Sequence, residues 1–267
     1  MESAINKFSI FNKFPFLGKV KLKYIEHHLV DHCNLNCAGC THFSPLAEPW
    51  FEDLEDFKRD FMQLSKMFNI ETVRLMGGEP LLHPQIKEFI TYARQMFPLA
   101  HIEVVTNGIL LKQDKSLIDV INYNNITVGV SDYGVIKDFD AQLVGINSVK
   151  RFGKAKMYNP CLDLTCGQDP EYTHANCIHR VNSCNYFQNG RFYACATSAN
   201  VDKFNKFFGK NLPTEEGISI YEHSPREVYD YLCNKIVGLC ACCNIDEAAK
   251  SYRPFYRSDN DIKEWTK

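Results

Sequence analysis

The chain of 267 residues has no long apolar run: nothing in it approaches the roughly 18–20 continuous apolar residues of a membrane span. It has no excess of basic charge either. Its 30 Lys and Arg face 32 Asp and Glu, for a net charge of −2, and no Lys/Arg block stands out. A nucleic-acid partner, which needs a basic footprint, is therefore not expected. The first residues, MESAINKFSIFNKFPFLGKVKLKY, are broken by Asn12, Lys13 and Pro15, with no small-residue cleavage site, so no secretory signal is read there. Solenoid-type repeats, low-complexity segments and a G-x-G-x-x-G nicotinamide fingerprint are also missing. Cysteine, in contrast, is abundant, with twelve in all. In the reducing cytoplasm expected for a chain without a signal peptide, closely spaced thiols suggest metal ligands or redox groups rather than disulfides.

The first half repeats a strand–helix unit. Lys21–Val30 reads as a strand entering a cysteine loop. Phe51, Leu54, Phe57, Phe61, Leu64 and Phe68 fall at helical spacing. Thr72–Met76 is a short strand closed by Gly77-Gly78, and Ile86, Phe89, Ile90, Ala93 and Phe97 mark a helix that Pro98 ends. Ile102–Thr106, a helix capped by Asp114, and the strand Ile126–Val130 follow. Such alternation predicts a parallel sheet with crossover helices, whose ligands bind at the carboxyl ends of the strands. Those ends carry Cys33 onward, Gly77-Gly78-Glu79, Thr106-Asn107-Gly108 and Ser131-Asp132. Any one glycine there suits a plain turn, but four such loops on one side suggest a site. Beyond about Arg151 the helical periodicity fades while Cys, Asn, Tyr and Gly rise, which places a boundary near Asn159-Pro160.

CNLNCAGC sets Cys33, Cys37 and Cys40 at C-x3-C-x2-C spacing. Three thiolates on a short loop suit three irons of a cubane, leaving the fourth iron open. Structural zinc needs four closed ligands, and His32 or His42 stands near enough in sequence to supply the fourth. The loop together with Gly77-Gly78-Glu79-Pro80 after the second strand resembles the radical S-adenosylmethionine (SAM) superfamily over about residues 22–135. The resemblance implies an α/β fold, a partial (β/α)6 TIM-like barrel, with a [4Fe-4S] cluster on the three cysteines. SAM would be bound by Gly77, Gly78 and Glu79, with contacts from Asn107 and Ser131. One departure is Gly39, where the superfamily often has an aromatic residue; His42 or Phe43 is expected to take over its contact with the nucleoside.

Downstream, Cys177, Gly190, Cys195 and the C-x2-C pair Cys240 and Cys243 resemble the twitch domain, a short relative of the SPASM domain. That resemblance implies one auxiliary [4Fe-4S] cluster on Cys177, Cys195, Cys240 and Cys243, with Cys184 the substitute for Cys177. Asn189-Gly190 reads as a hairpin turn delivering Cys195. Cys161, Cys166, Cys184, Cys233 and Cys242 remain, and buried apolar filler is the expected role for most, though any of them suits a hydrogen-atom donor. The expected organisation is an N-terminal extension (1–20) strapped over the barrel, the barrel (21–159), the twitch domain (160–250) and a tail (251–267).

Size and cysteine spacing resemble the radical SAM dehydrogenases of aminocyclitols, and GCTHFSPLAEP together with the tail resembles a branch found among bacterial sugar and polysaccharide genes. These imply hydrogen abstraction from a sugar, nucleotide-sugar or aminocyclitol carbon, oxidation of the alcohol to a ketone, and a flavodoxin- or ferredoxin-type reductant. Arg151 is the candidate base, although a surface arginine is the plainer reading. Sugar epimerisation, with a cysteine returning hydrogen, is the main alternative. Peptide maturation is disfavoured, because only about twenty residues precede the first strand where a leader-binding domain would need many tens. A zinc-stapled binding protein is the non-enzyme alternative.

Overall fold

Strand β1 (Val20–Val30) is the longest, and its alternate residues part to two sides. Beside it run β2 (Phe68–Gly77), β3 (His101–Thr106), β4 (Thr127–Asp132) and β5 (Val149–Lys154), all parallel, in the order β5-β4-β3-β2-β1. The computed structural model describes residues 18–154, 160–178, 184–250 and 253–267. Most of the N-terminal extension, Asn159 at the expected boundary, and Ser251 and Tyr252 of the tail lie outside the described residues.

Helices α1 (Leu54–Met67), α2 (Ile86–Met96), α3 (Lys115–Tyr123) and α4 (Phe139–Leu143) make the crossovers. Three of the four, α1, α3 and α4, begin at an aspartate cap. The Asp53 carboxylate accepts from the Glu55 and Asp56 amides, and that of Asp114 from Ser116. Phe57, Phe61, Leu64, Phe89, Ile90 and Ile121 are fully buried and share one core with Ile25, Val73, Leu75, Ile102, Val104 and Val128 of the strands. Each such side chain contributes about 1.5–3 kcal/mol. His27 points the same way, 5.2 Å from the Phe57 ring and 5.3 Å from that of Phe61, and burial pushes it down to about 3, so it is neutral.

The other face of the sheet is polar. Arg74 donates twice to Glu103 (2.9 and 2.7 Å) and Lys150 once (2.7 Å). The Arg74 guanidinium lies 4.9 Å from the Tyr24 ring and 5.5 Å from that of Phe152. Burial opposes ionisation of Glu103, but Lys150 and Arg74 outweigh it and hold the carboxyl below its ordinary range. A buried charge so paired costs about 3–5 kcal/mol to orphan.

The C-terminal part extends this sheet. Strand β6 (Tyr186–Gln188) adds parallel to the free edge of β1, and β7 (Arg191–Tyr193) and β8 (Ile218–Ser219) follow antiparallel, giving an open sheet of eight strands. The fold is thus an open α/β barrel whose sixth parallel strand lies beside β1, not β5. The expected hairpin is there. Asn189 (φ 51°) and Gly190 (φ 68°) both take the left-handed conformation that a type I′ turn demands. Fading helical periodicity misled in this region. After the short helix α5 (Pro170–Asn176) come α6 (Ala196–Phe208) and α7 (Pro225–Asn234), the latter opened by a Ser224/Glu227 capping box. The inward face of α6 includes Ser198 and Asn200 as well as Val201 and Phe204, which dilutes its apolar period. A second core joins Phe43, Leu162, Val201, Phe204, Leu239 and Trp265. None of the described helices is long and apolar enough to cross a membrane.

Candidate active site

At the carboxyl ends of β1–β4 lies a cavity of about 210 Å3 lined by Cys33, Cys37, Cys40, His42, Gly77, Gly78, Glu79, Asn107, Ser131 and Tyr133, among others. The three thiols of the first motif and the five strand-end residues expected beside them therefore share one cavity. The glycines are required by close approach. A Cβ on Gly78 would sit 2.0 Å from the His32 carbonyl oxygen, and one on Gly77 2.3 Å from that of Val30. This closeness lets Gly78 N donate to Val30 O (2.7 Å) and Glu79 N to His32 O (3.1 Å), which locks the cysteine loop to the end of β2.

Glu79 is buried. Its carboxylate accepts from the Thr106 hydroxyl (2.7 Å), Asn107 N (2.9 Å) and Leu81 N (3.1 Å), so it also caps the 3-10 turn Pro80–Leu82. Burial nevertheless pushes it up to about 7. Three of its roughly four acceptor positions are thus filled by protein donors, and the residue lines the cavity. The Asn107 amide donates to Asn34 (2.7 Å) and so braces the cysteine loop.

Burial pushes the Cys33 thiol up to about 11 and that of Cys37 higher still. Cys40 differs. Burial opposes its ionisation, but the hydrogen bond and charge of His42 bring it down to about 7. His42 is in turn held by Glu26, 3.9 Å away, and stands edge-on to His28 at 4.5 Å between ring centroids. Burial alone would lower His42, yet Cys40 and Glu26 raise it to about 9. Of the two residues expected to replace an aromatic at position 39, only His42 lines the cavity. Phe43 turns into the second core against Phe204 and Trp265. Tyr133, which sequence reasoning missed, also lines the cavity, near the Cys37 thiol; its place just past the Ser131 strand end was the available signal.

Among the described residues, no three His, Cys, Asp or Glu side chains converge closely enough to chelate a single metal ion. Three thiols around an open cavity fit a larger, multi-metal group instead. The buried Ser44 hydroxyl on the cavity wall has no hydrogen-bond partner among the described residues, which suits a polar ligand there.

A second thiol group lies in the C-terminal part. Cys243 is within electrostatic reach of Cys161, Cys195, Cys240 and Cys177, and burial pushes it far up. Cys243 thus has the other three expected thiols as electrostatic neighbours, together with Cys161, which the expected pattern left out. Cys184 lies instead beside Glu26 and Arg74 on the polar face, with Cys177 a weaker neighbour. Two of the leftover cysteines are not free as expected, because Cys166 and Cys242 form a disulfide. Cys242 is fully buried in the second core, against which Cys240 and Cys243 also pack, and Cys166 meets it there from a left-handed turn. Between the two thiol groups stands Trp265. Its Nε1 donates to Cys40 O (2.9 Å), and its own carbonyl accepts from Leu162 N (3.0 Å), beside Cys161.

Arg151 is not at the cavity. It leaves β5 on the side opposite Lys150, exposed and ion-paired with Asp140 of α4.

The Radical SAM superfamily profile matches residues 28–131. The GTP 3′,8-cyclase of Aquifex aeolicus (strain VF5) is 33% identical over 118 residues, which is 41% of this chain and 35% of that protein. Molybdenum cofactor biosynthesis protein 1 of Bos taurus is 27% identical over 150 residues, 52% of this chain and 24% of that one. The chain thus aligns with well under half the length of these relatives. Among solved structures, BtrN in complex with AdoMet and 2-DOIA superposes with a TM-score of 0.52 at 18% identity, covering 84% of this chain and 94% of BtrN. This likeness extends the shared fold beyond the profile into the C-terminal part. Residues 28–131, with their cysteine loop and strand-end cavity, thus form a radical SAM domain, of the kind that binds a [4Fe-4S] cluster and SAM.

Proposed function

We propose that the protein is a radical SAM dehydrogenase that oxidises an alcohol carbon of a sugar, nucleotide sugar or aminocyclitol. The observation that carries this reading is the second thiol group, gathered one short hydrogen-bonded link from the first through Trp265. Cys33, Cys37 and Cys40 hold the SAM cluster, and Cys177, Cys195, Cys240 and Cys243 hold an auxiliary [4Fe-4S] cluster. When bound, these groups supply a hydrogen-abstracting carbon radical at one end and an acceptor for the second electron at the other. The chain does the rest. Glu79 accepts from the SAM ammonium, Gly77 and Gly78 leave room for its approach, and Asn107 and Ser131 contact the ligand. Leu35, Ala38 and Met76 line the cavity and keep water from it. The role of Arg151 as base gains no support from its outward position. The division into barrel and C-terminal twitch domain near Asn159-Pro160 belongs to the same reading. So do a cytoplasmic location and a flavodoxin- or ferredoxin-type reductant, since cluster thiols need a reducing compartment.

The relatives named GTP 3′,8-cyclase favour a second reading, in which the substrate is a purine nucleotide. The test is anaerobic incubation with SAM and a reductant across aminocyclitols, nucleotide sugars and GTP, with mass analysis of each product. Formation of 5′-deoxyadenosine together with a product two mass units lighter than an alcohol substrate is expected. Turnover of GTP alone would replace the dehydrogenase reading.

A further inference from the structure

Gly39 sits where the cysteine loop has least room. Its φ is +65°, and a Cβ there would lie 2.3 Å from Arg253 Nη2 and 2.6 Å from the Glu264 carbonyl oxygen. Both neighbours belong to the C-terminal tail. The Arg253 guanidinium donates to that carbonyl (2.8 Å) and to the Tyr256 hydroxyl (2.5 Å), and lies 5.2 Å from the Tyr256 ring. The tail then runs antiparallel along the loop. Ala38 N donates to Tyr256 O (3.1 Å), Ser258 N donates to Asn36 O (2.7 Å), and Cys37 pairs with Arg257. The Trp265 indole closes the run on Cys40 O. Phe255 reaches the far wall, its ring 5.5 Å from that of Tyr133, which lines the cavity with Cys37.

A loop carrying three thiols has backbone amides and carbonyls that no sheet satisfies, and these need partners elsewhere in the chain. Here the tail supplies them at Asn36, Ala38 and Cys40. We infer that residues 253–265 form a strap that fixes the cysteine loop, with Arg253 and Phe255 as positioning residues for the SAM-cluster site. Arg253 seats the strap in the space that Gly39 leaves, and Phe255 holds Tyr133 beside Cys37. The inference rests on the reading that Cys33, Cys37 and Cys40 hold that cluster.

Two measurements on the full chain test it, with Arg253→Ala and Phe255→Ala beside Tyr123→Ala, a control at an exposed position of α3. In the reduced, iron-free chain, the alkylation rate of each cysteine is followed by peptide mass mapping. Cys37 and Cys40 are expected to react about tenfold faster in Arg253→Ala, with Cys177 and Cys195 unchanged as internal references. In the anaerobically reconstituted chain, the irons held by Cys33, Cys37 and Cys40 are expected to pass to a chelator about tenfold faster, the lower end of what loss of an outer-shell partner does. Phe255→Ala is expected to weaken SAM binding, read by calorimetry, by a similar factor. Rates and affinities equal to the control would overturn the strap, as would a parallel rise at all thiols, which marks general loosening of the fold. Faster alkylation of Cys37 and Cys40 in a chain that assembles no iron there would keep the strap and retire the cluster reading instead.

Discussion

Glu79 shows how a single residue serves two ends. Three protein donors already hold its carboxylate, so it stabilises the end of β2 whether or not a ligand is present. In the proposed site, a SAM ammonium at a free acceptor position of Glu79 would add a charge-assisted bond worth about 1.5–3 kcal/mol. Glu79→Gln should therefore weaken SAM binding by roughly tenfold to a hundredfold while the iron content stays the same; calorimetry on the reconstituted protein reads it, and an unchanged affinity removes Glu79 from the site. Glu52 makes a different point, about stability. It is buried against Gln188 (2.5 Å), and burial, with Asp60, Asp56 and Asp53 nearby, pushes it up to about 8. The folded chain therefore keeps a proton that the unfolded chain releases near 4.5. That contribution is full below the unfolded value and is lost as pH climbs through about 8. Glu52→Gln should flatten this decline, gaining about 1–3 kcal/mol over the parent at pH 8 relative to pH 5, the cost of one ill-satisfied buried group. Thermal melts at the two pH values check it. At this scale the sequence was legible where chemistry is local. The thiols at Cys33, Cys37 and Cys40 stand out by their spacing, and Glu79 by the resemblance that the Gly77-Gly78-Glu79 strand end carries; the structure places all four at one cavity. Trp265 does not, because its contact with Cys40 spans 225 residues and no local pattern encodes it.

Elements were legible wherever their ends carry a signal. Asp114 caps the helix it was expected to begin, and Asn189-Gly190 turns the hairpin, whereas Asp53, which opens α1 at Leu54, was not singled out and the helix was expected from Phe51. Gly77-Gly78 was also visible as a strand end, but its reason was not: the pair is needed because β1 and β2 close on each other at that point, not because a turn is made. A test follows from the 2.0 Å gap between a Cβ at 78 and the His32 carbonyl, which is backbone and cannot swing aside. Gly78→Ala should cost on the order of 1–3 kcal/mol and move the residues that precede Cys33. A lowered melting temperature with reduced SAM-cluster iron is the expected result; full iron and unchanged stability would mean that the strand end yields. The tail was harder to read, since a strap without a period of its own resembles any polar terminus. Its hold on the loop is backbone pairing, which leaves no mark on side-chain pattern.

For the whole molecule, the proposed reaction turns on what becomes of a substrate radical, and the leftover thiols bear on it. Oxidation sends a second electron away and needs no hydrogen donor. Epimerisation returns a hydrogen atom and needs a thiol facing the substrate. Five cysteines outside the two proposed ligand sets were candidates on sequence. The structure narrows them, because Cys166 and Cys242 are joined and carry no S–H, and Cys233 is exposed on α7. Cys161 stands among the second group of thiols. That leaves Cys184, next to Glu26 and Arg74 on the polar face of the sheet, with burial pushing its thiol up to about 11 and so keeping it protonated. A protonated thiol there has the form a hydrogen donor requires, and so the choice between the two reactions comes to this one side chain. If the protein is a dehydrogenase, Cys184→Ala should turn over at a rate within a few-fold of the parent, and the product made in deuterated water should be a ketone, or its imine, two mass units lighter than the substrate. Solvent deuterium incorporated into a product of otherwise unchanged composition, and lost in Cys184→Ala, would make the enzyme an epimerase with Cys184 as its donor.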